Sequence, residues 1–179
     1  MITLPVFLNL LNTKYLNKFN TMIIGGFDEP FYQASVSGNS SEIQFSHDYF
    51  RSALHELAHW CVAGVERRKI DDYGYWYAED GRDQKQQDAF FQMEIKPQAI
   101  EWAFSIVCGV KFEASVDNLH NSITGVDEFE KNLVVQLRSS LANGFNQRVT
   151  EIIQSIAEHQ NIENPMEYIQ KQIKKLNSN

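Results

Sequence analysis

The hydrophobic pattern along the sequence switches period several times. At the start, MITLPVFLNLLNTKYLNKFN repeats Leu8, Leu11, Tyr15 and Phe19 at helical spacing, which predicts an amphipathic helix. The stretch TMIIGGFDEPFYQASVSGNSSEIQFSHDYF then sets short apolar pieces at 22–24, 31–34 and 43–45 between Gly-Gly, Asp-Glu-Pro and Ser-Gly-Asn-Ser-Ser, as a small sheet with tight turns would. Over 49–62 the period is helical again, with Phe50, Leu54, Leu57, Ala58, Cys61 and Val62 apolar and Gly64 suited to ending the helix.

Residues 71–83, DDYGYWYAEDGRD, join an aromatic cluster to an Asp80-Gly81 turn signal and predict an extended segment entering a loop. The polar stretch 84–91 carries no clear period. Pro97 disfavours helical geometry at Lys96 and suits a helix start, so 92–96 is expected to be extended and 97–108 helical. From about Val126 the sequence reads as two or three amphipathic helices, one carrying Phe129, Leu133, Leu137 and Leu141. No internal repeat, linker or low-complexity tract interrupts this order.

With 43% hydrophobic and 22% charged residues, the chain of 179 residues is expected to form one domain, 1–179, with a core at about 20–120 and a helical part at about 126–176. A net charge of −7 argues against binding nucleic acid or anionic membrane surfaces, both of which require a positive field. The run Glu66-Arg67-Arg68-Lys69 is a solvated helix end or, alternatively, a docking spot for an acidic partner. Cys61 and Cys108 lie in apolar surroundings and form no disulfide framework, which suggests reduced core thiols and a cytoplasmic location. The N-terminus has no basic leader and no apolar run long enough to span a membrane.

One short motif alters the picture. In HELAHW, His55 and His59 are four apart on the expected helix, so both imidazoles lie on one face and can meet one divalent metal ion. Two histidines need a third protein ligand. Val62 and Val65 exclude the longer three-histidine peptidase motif, which leaves carboxylates: Glu94, in the segment stiffened by Pro97, is preferred over Glu101, which could equally be a structural ion-pair partner. His47, His120 and His159 are read as surface or capping residues. Such a ligand set suits a zinc metallopeptidase, in which Glu56 would be the general base, and equally a non-haem iron site that activates oxygen. The H-x-D and H-x-E triplets of the 2-oxoglutarate oxygenases do not occur.

Taken together, SALHELAHWCVAG, ERRKIDDYGYWYAEDGRD, MEIKPQAIEW and SVDNL, with GGFDEP upstream, resemble the elongation factor P hydroxylases in order and spacing; Ala78-Glu79 stands where that family carries Cys-Pro. The resemblance is dense over about 20–120. It implies an α+β, zincin-like fold, with a small N-terminal sheet packed on the H-E-x-x-H helix and further helices after it. It also implies His55, His59 and Glu94 as ligands of Fe(II), a site that zinc or another divalent metal can occupy, with dioxygen as co-substrate. The implied reaction is hydroxylation of the β-lysylated lysine of elongation factor P, with zinc peptide hydrolysis as the alternative. Glu56 would then orient a water or the substrate amine. A long cationic substituent requires aromatic walls and carboxylates around it, and Tyr75, Trp76, Asp80, Asp83 and Asp117 are the candidates.

Overall fold

A computed structural model describes residues 1–36, 38–74, 82–116 and 124–176. Helix α1 (Leu4–Lys14) leads through a short turn to β1 (Thr21–Phe27), β2 (Phe31–Gln33) and β3 (Ser41–Ser46); α2 (Phe50–Val62), α3 (Gln84–Cys108), α4 (Val126–Asn143), α5 (Gln147–His159) and α6 (Pro165–Leu176) follow. The architecture is α+β. The sheet order is β1-β3-β2, with β1 parallel and β2 antiparallel to the central β3.

Side chains occupy backbone groups on both outer strands. Asn12 of α1 donates to the Ile23 carbonyl at 3.0 Å and accepts from the Ile23 N–H at 2.8 Å. Beside β2, the carboxylates of Asp72 and Asp71 accept the N–H groups of Tyr32 and Ala34 at 2.9 and 2.8 Å. These bonds occupy the groups an extended peptide would need in order to add as a further strand.

Three local expectations are corrected. Gly25 and Gly26 form no turn but lie within β1, where the register shifts between Ile24 and Phe27. A Cβ on Gly25 would meet the Phe45 ring at 2.5 Å and the His47 carbonyl at 2.7 Å, so glycine is required there. Asp71–Gly74 is a tight turn rather than an extended run, because its two aspartates reach back to β2.

The third correction concerns 84–108, which is one continuous helix with Pro97 inside it. A capping box between Asp83 and Gln86 starts the helix well before the proline, and Gly109, at φ +73°, ends it. Burial along this length outweighs the local preference of Pro97. Phe90 and Phe91 pack with Phe129 and Leu133 of α4, and Ala99, Ala103, Phe104 and Val107 enter the main core.

Helix α2 buries Ala53, Leu54, Leu57, Ala58, Trp60 and Cys61 against the sheet, α3 and α5. Its last carbonyls are satisfied by distant side chains. Arg148 donates to Cys61 and Ala63, Asn146 to Cys61, and Arg68 to Ala63 at 2.6 Å. The basic run of 67–69 is thus used internally: Arg67 holds the Tyr73 carbonyl at 3.0 Å and Lys69 pairs with Glu66. Cys61 and Cys108 are free and buried. No helix among the described residues is long and apolar enough to cross a membrane.

Candidate metal centre

Packing α2 on α3 turns two sequence-distant patterns toward each other. His55 and His59 are one turn apart on α2, and Glu94 and Glu101 are two turns apart on one face of α3. His55 lies between the two carboxylates. Its Nδ1 is 2.9 Å from Oε2 of Glu101, and its Nε2 is 3.6 Å from Oε2 of Glu94. His59 Nε2 lies 3.2 Å from Oε1 of Glu94 and 3.1 Å from His55 Nε2.

These separations fit a shared cation. Bonds of roughly 2.1 Å to one metal put adjacent ligand atoms roughly 3.0 Å apart in octahedral and roughly 3.4 Å apart in tetrahedral geometry. The two Nε2 atoms lie 3.1 Å apart, and each faces a different oxygen of Glu94, His59 at 3.2 Å and His55 at 3.6 Å; with one atom taken from each residue, the three donors lie within 4.8 Å of one another. A carboxylate can only accept, so Glu101 fixes a proton on Nδ1 of His55 and leaves Nε2 to face Glu94 and His59. His55, His59 and Glu94 are the one group of three possible ligands found among the described residues. Glu94 joins the cluster from within a helix, not from the extended segment expected for it, and Glu101 backs His55.

The protonation of the cluster is set by its charged neighbours, which outweigh burial. Burial pushes the Glu94 carboxyl upward, but the imidazoles of His59 and His55 outweigh it and bring its pKa down to about 2. For His55, burial opposes the charged form, yet the Glu101 hydrogen bond and the charges of Glu94, Glu101 and Glu56 raise its pKa to about 10. At neutral pH the metal-free site therefore holds a proton on His55 that a metal ion must displace, while Glu94 is already ionised. Apparent metal affinity should rise about tenfold per pH unit between about pH 6 and pH 9 as this proton becomes easier to release. Titration with Co(II) at several pH values checks the slope, and a flat profile would show that no such proton is held.

Glu56 is half-buried beside His55 and accepts no hydrogen bond from a described residue. Burial raises its pKa, against the opposing charges of His55 and His59. The charge of Glu56 also helps to raise the pKa of Tyr73, behind the larger effect of that phenol's own burial. Tyr73 was not singled out in the sequence. It stacks on Tyr32 at 4.3 Å, holds φ at +56°, and buries a hydroxyl that has no partner among the described residues. That hydroxyl costs stability, so Tyr73→Phe should raise the unfolding free energy by about 1 kcal/mol, readable in a denaturant titration. A loss of stability would reveal a bond to this hydroxyl.

Of the residues expected to receive a cationic substituent, Tyr75, Trp76, Asp80 and Asp117 lie outside the described residues, as does Ala78-Glu79. Asp83 is described. Its carboxylate accepts the Gln86 N–H at 2.8 Å to cap α3, and the structure does not bring it into the cluster.

Two helices that present a pair of histidines and a buried glutamate to one point define a protein able to hold a divalent metal ion between them. Comparison with known proteins narrows this class. A model of the elongation factor P hydroxylase family matches residues 10–170. The elongation factor P lysine hydroxylase of Haemophilus influenzae is 38% identical over 140 residues, which cover 78% of this chain and 79% of that protein. The chain belongs to the elongation factor P hydroxylase family, and is a hydroxylase.

Proposed function

We propose that this enzyme hydroxylates the β-lysylated lysine of elongation factor P in an oxygen-dependent reaction, with Fe(II) held by His55, His59 and Glu94. The observation that carries the reading is the convergence of those three side chains, whose donor atoms lie within 4.8 Å of one another, in a chain whose family is named for hydroxylation of elongation factor P. Bound there, Fe(II) would activate dioxygen, so that one oxygen atom enters a carbon–hydrogen bond of the modified lysine and the other leaves as water with two electrons and two protons drawn from an external reductant. The two-histidine helix packed on a small sheet also supports a zincin-like fold.

The protein's own residues have distinct tasks. Glu101 holds the His55 ring so that Nε2 faces the site, and Glu94 supplies a negative charge already ionised at neutral pH. Glu56, beside the site and free of hydrogen bonds to described residues, orients a water or the amine of the substrate. Tyr75, Trp76, Asp80 and Asp117 are the residues proposed to receive the long cationic substituent, while Asp83 caps the start of α3. The buried, reduced thiols fit an enzyme acting in the cytoplasm on a translation factor.

The test is the mass of the lysine-modified peptide of elongation factor P after incubation with Fe(II)-loaded enzyme and a supplied reductant, in air and without oxygen. A gain of one oxygen atom in air alone is expected. An equal gain without oxygen, or none in either condition, would overturn the proposal.

A further inference from the structure

The segment 111–116 belongs to neither helix nor sheet, yet its backbone is firmly held. Side chains of the two ligand-bearing helices take the place of a strand partner. Arg51, one turn before His55 on α2, donates to the Glu113 carbonyl at 2.7 Å and to its carboxylate at 2.6 Å. Gln87 of α3 donates to the Val116 carbonyl at 2.8 Å, and Trp102 of α3 stacks on Phe112 at 5.0 Å. The segment is a strap across α2 and α3.

Its central fastening is Gln98, which is fully buried. Oε1 of Gln98 accepts the Ser115 N–H at 3.0 Å, and Nε2 donates to the Ser115 carbonyl at 2.9 Å. The second N–H of the same amide donates to Oε2 of Glu94 at 3.2 Å. The amide has no alternative orientation, because turning it over would set its NH2 against the Ser115 N–H and its oxygen against the Glu94 carboxylate. Neither glutamate nor methionine could make all three bonds. Gln98 is one turn from Glu94 and about one turn from Glu101, so one face of α3 carries a carboxylate, the amide that braces it, and a carboxylate that braces His55.

We infer that Gln98 is the positioning residue of Glu94 and that it couples metal binding to closure of the 111–116 strap. The inference rests on the ligand reading above. A strap closed on Gln98 presets the Glu94 carboxylate, so closure raises metal affinity. By reciprocity, a metal ion drawing on Glu94 favours the closed strap by the same factor. Bracing contacts of this kind alter metal affinity about 10–100-fold.

Co(II) titration and amide hydrogen exchange on the full-length protein test this together. In the wild type, Co(II) should slow exchange at the Ser115 amide by about 10–100-fold. In Gln98→Met, Co(II) affinity should fall by about the same factor, and Co(II) should no longer slow exchange at Ser115. Wild-type Co(II) affinity in Gln98→Met would overturn the inference. So would Ser115 exchange in the wild type that ignores bound Co(II), a comparison that needs no variant and stands even if Gln98→Met fails to fold. Failure of the wild type to bind Co(II) at all would overturn the ligand reading itself, and is separable from both.

Discussion

Glu94→Ala should abolish hydroxylation, with turnover falling by roughly a thousand-fold or more, and metal should be lost on dialysis. Glu94 is buried at 2% exposure, and its two oxygens face His59 and His55 at 3.2 and 3.6 Å. Without it two imidazoles remain, with no fixed negative charge between them to hold a divalent ion. Metal content by elemental analysis and oxygen incorporation by mass spectrometry check the two halves of the expectation. Retention of stoichiometric metal in Glu94→Ala would remove this residue from the ligand set.

Glu56→Gln should have the second largest effect and a different signature. Turnover should fall by about 10²–10⁴-fold, the range for a positioned acid or base, while metal content stays at the wild-type level. The reason lies in where the residue stands. Glu56 follows His55 on α2, but the ion pairs at the site run from His55 and His59 to Glu94 and Glu101, leaving its carboxylate available. A single-turnover assay with matched metal loading separates this from a binding defect. Loss of metal together with activity would instead make Glu56 part of the metal site.

The helix spacing of His55 and His59 was legible in the sequence because it needs one element and one period. The core of α2 was legible for the same reason: Leu54, Leu57, Ala58 and Cys61 repeat as a buried face, and all four are fully buried. Glu94 was legible as the preferred ligand and Glu101 as an ion-pair partner, but the pairing of Glu101 with His55 was not. It arises from the packing of α2 on α3, which places His55 between two carboxylates seven residues apart, and no local pattern encodes that contact.

Pro97 misled for a physical reason. It disfavours helix before it, but that local cost is smaller than the gain from burying Phe90, Phe91, Ala103 and Phe104 along one continuous helix that Asp83 and Gln86 cap. Asp71 and Asp72 misled in the same way, since a strand edge some forty residues earlier decides their turn. Gln98 carried no signal at all by itself. Its meaning depends on a strap that comes seventeen residues later and has no periodicity of its own.

Oxygen should reach the substrate lysine through chemistry at the His55, His59 and Glu94 site. The measurement that bears on this most directly is the mass of modified elongation factor P after reaction under ¹⁸O₂, with Fe(II)-loaded wild type beside His59→Ala. One labelled oxygen atom on the β-lysylated lysine with the wild type, and none with His59→Ala, is the predicted result. Equal labelling by both proteins, or an added oxygen that comes from water, would contradict it.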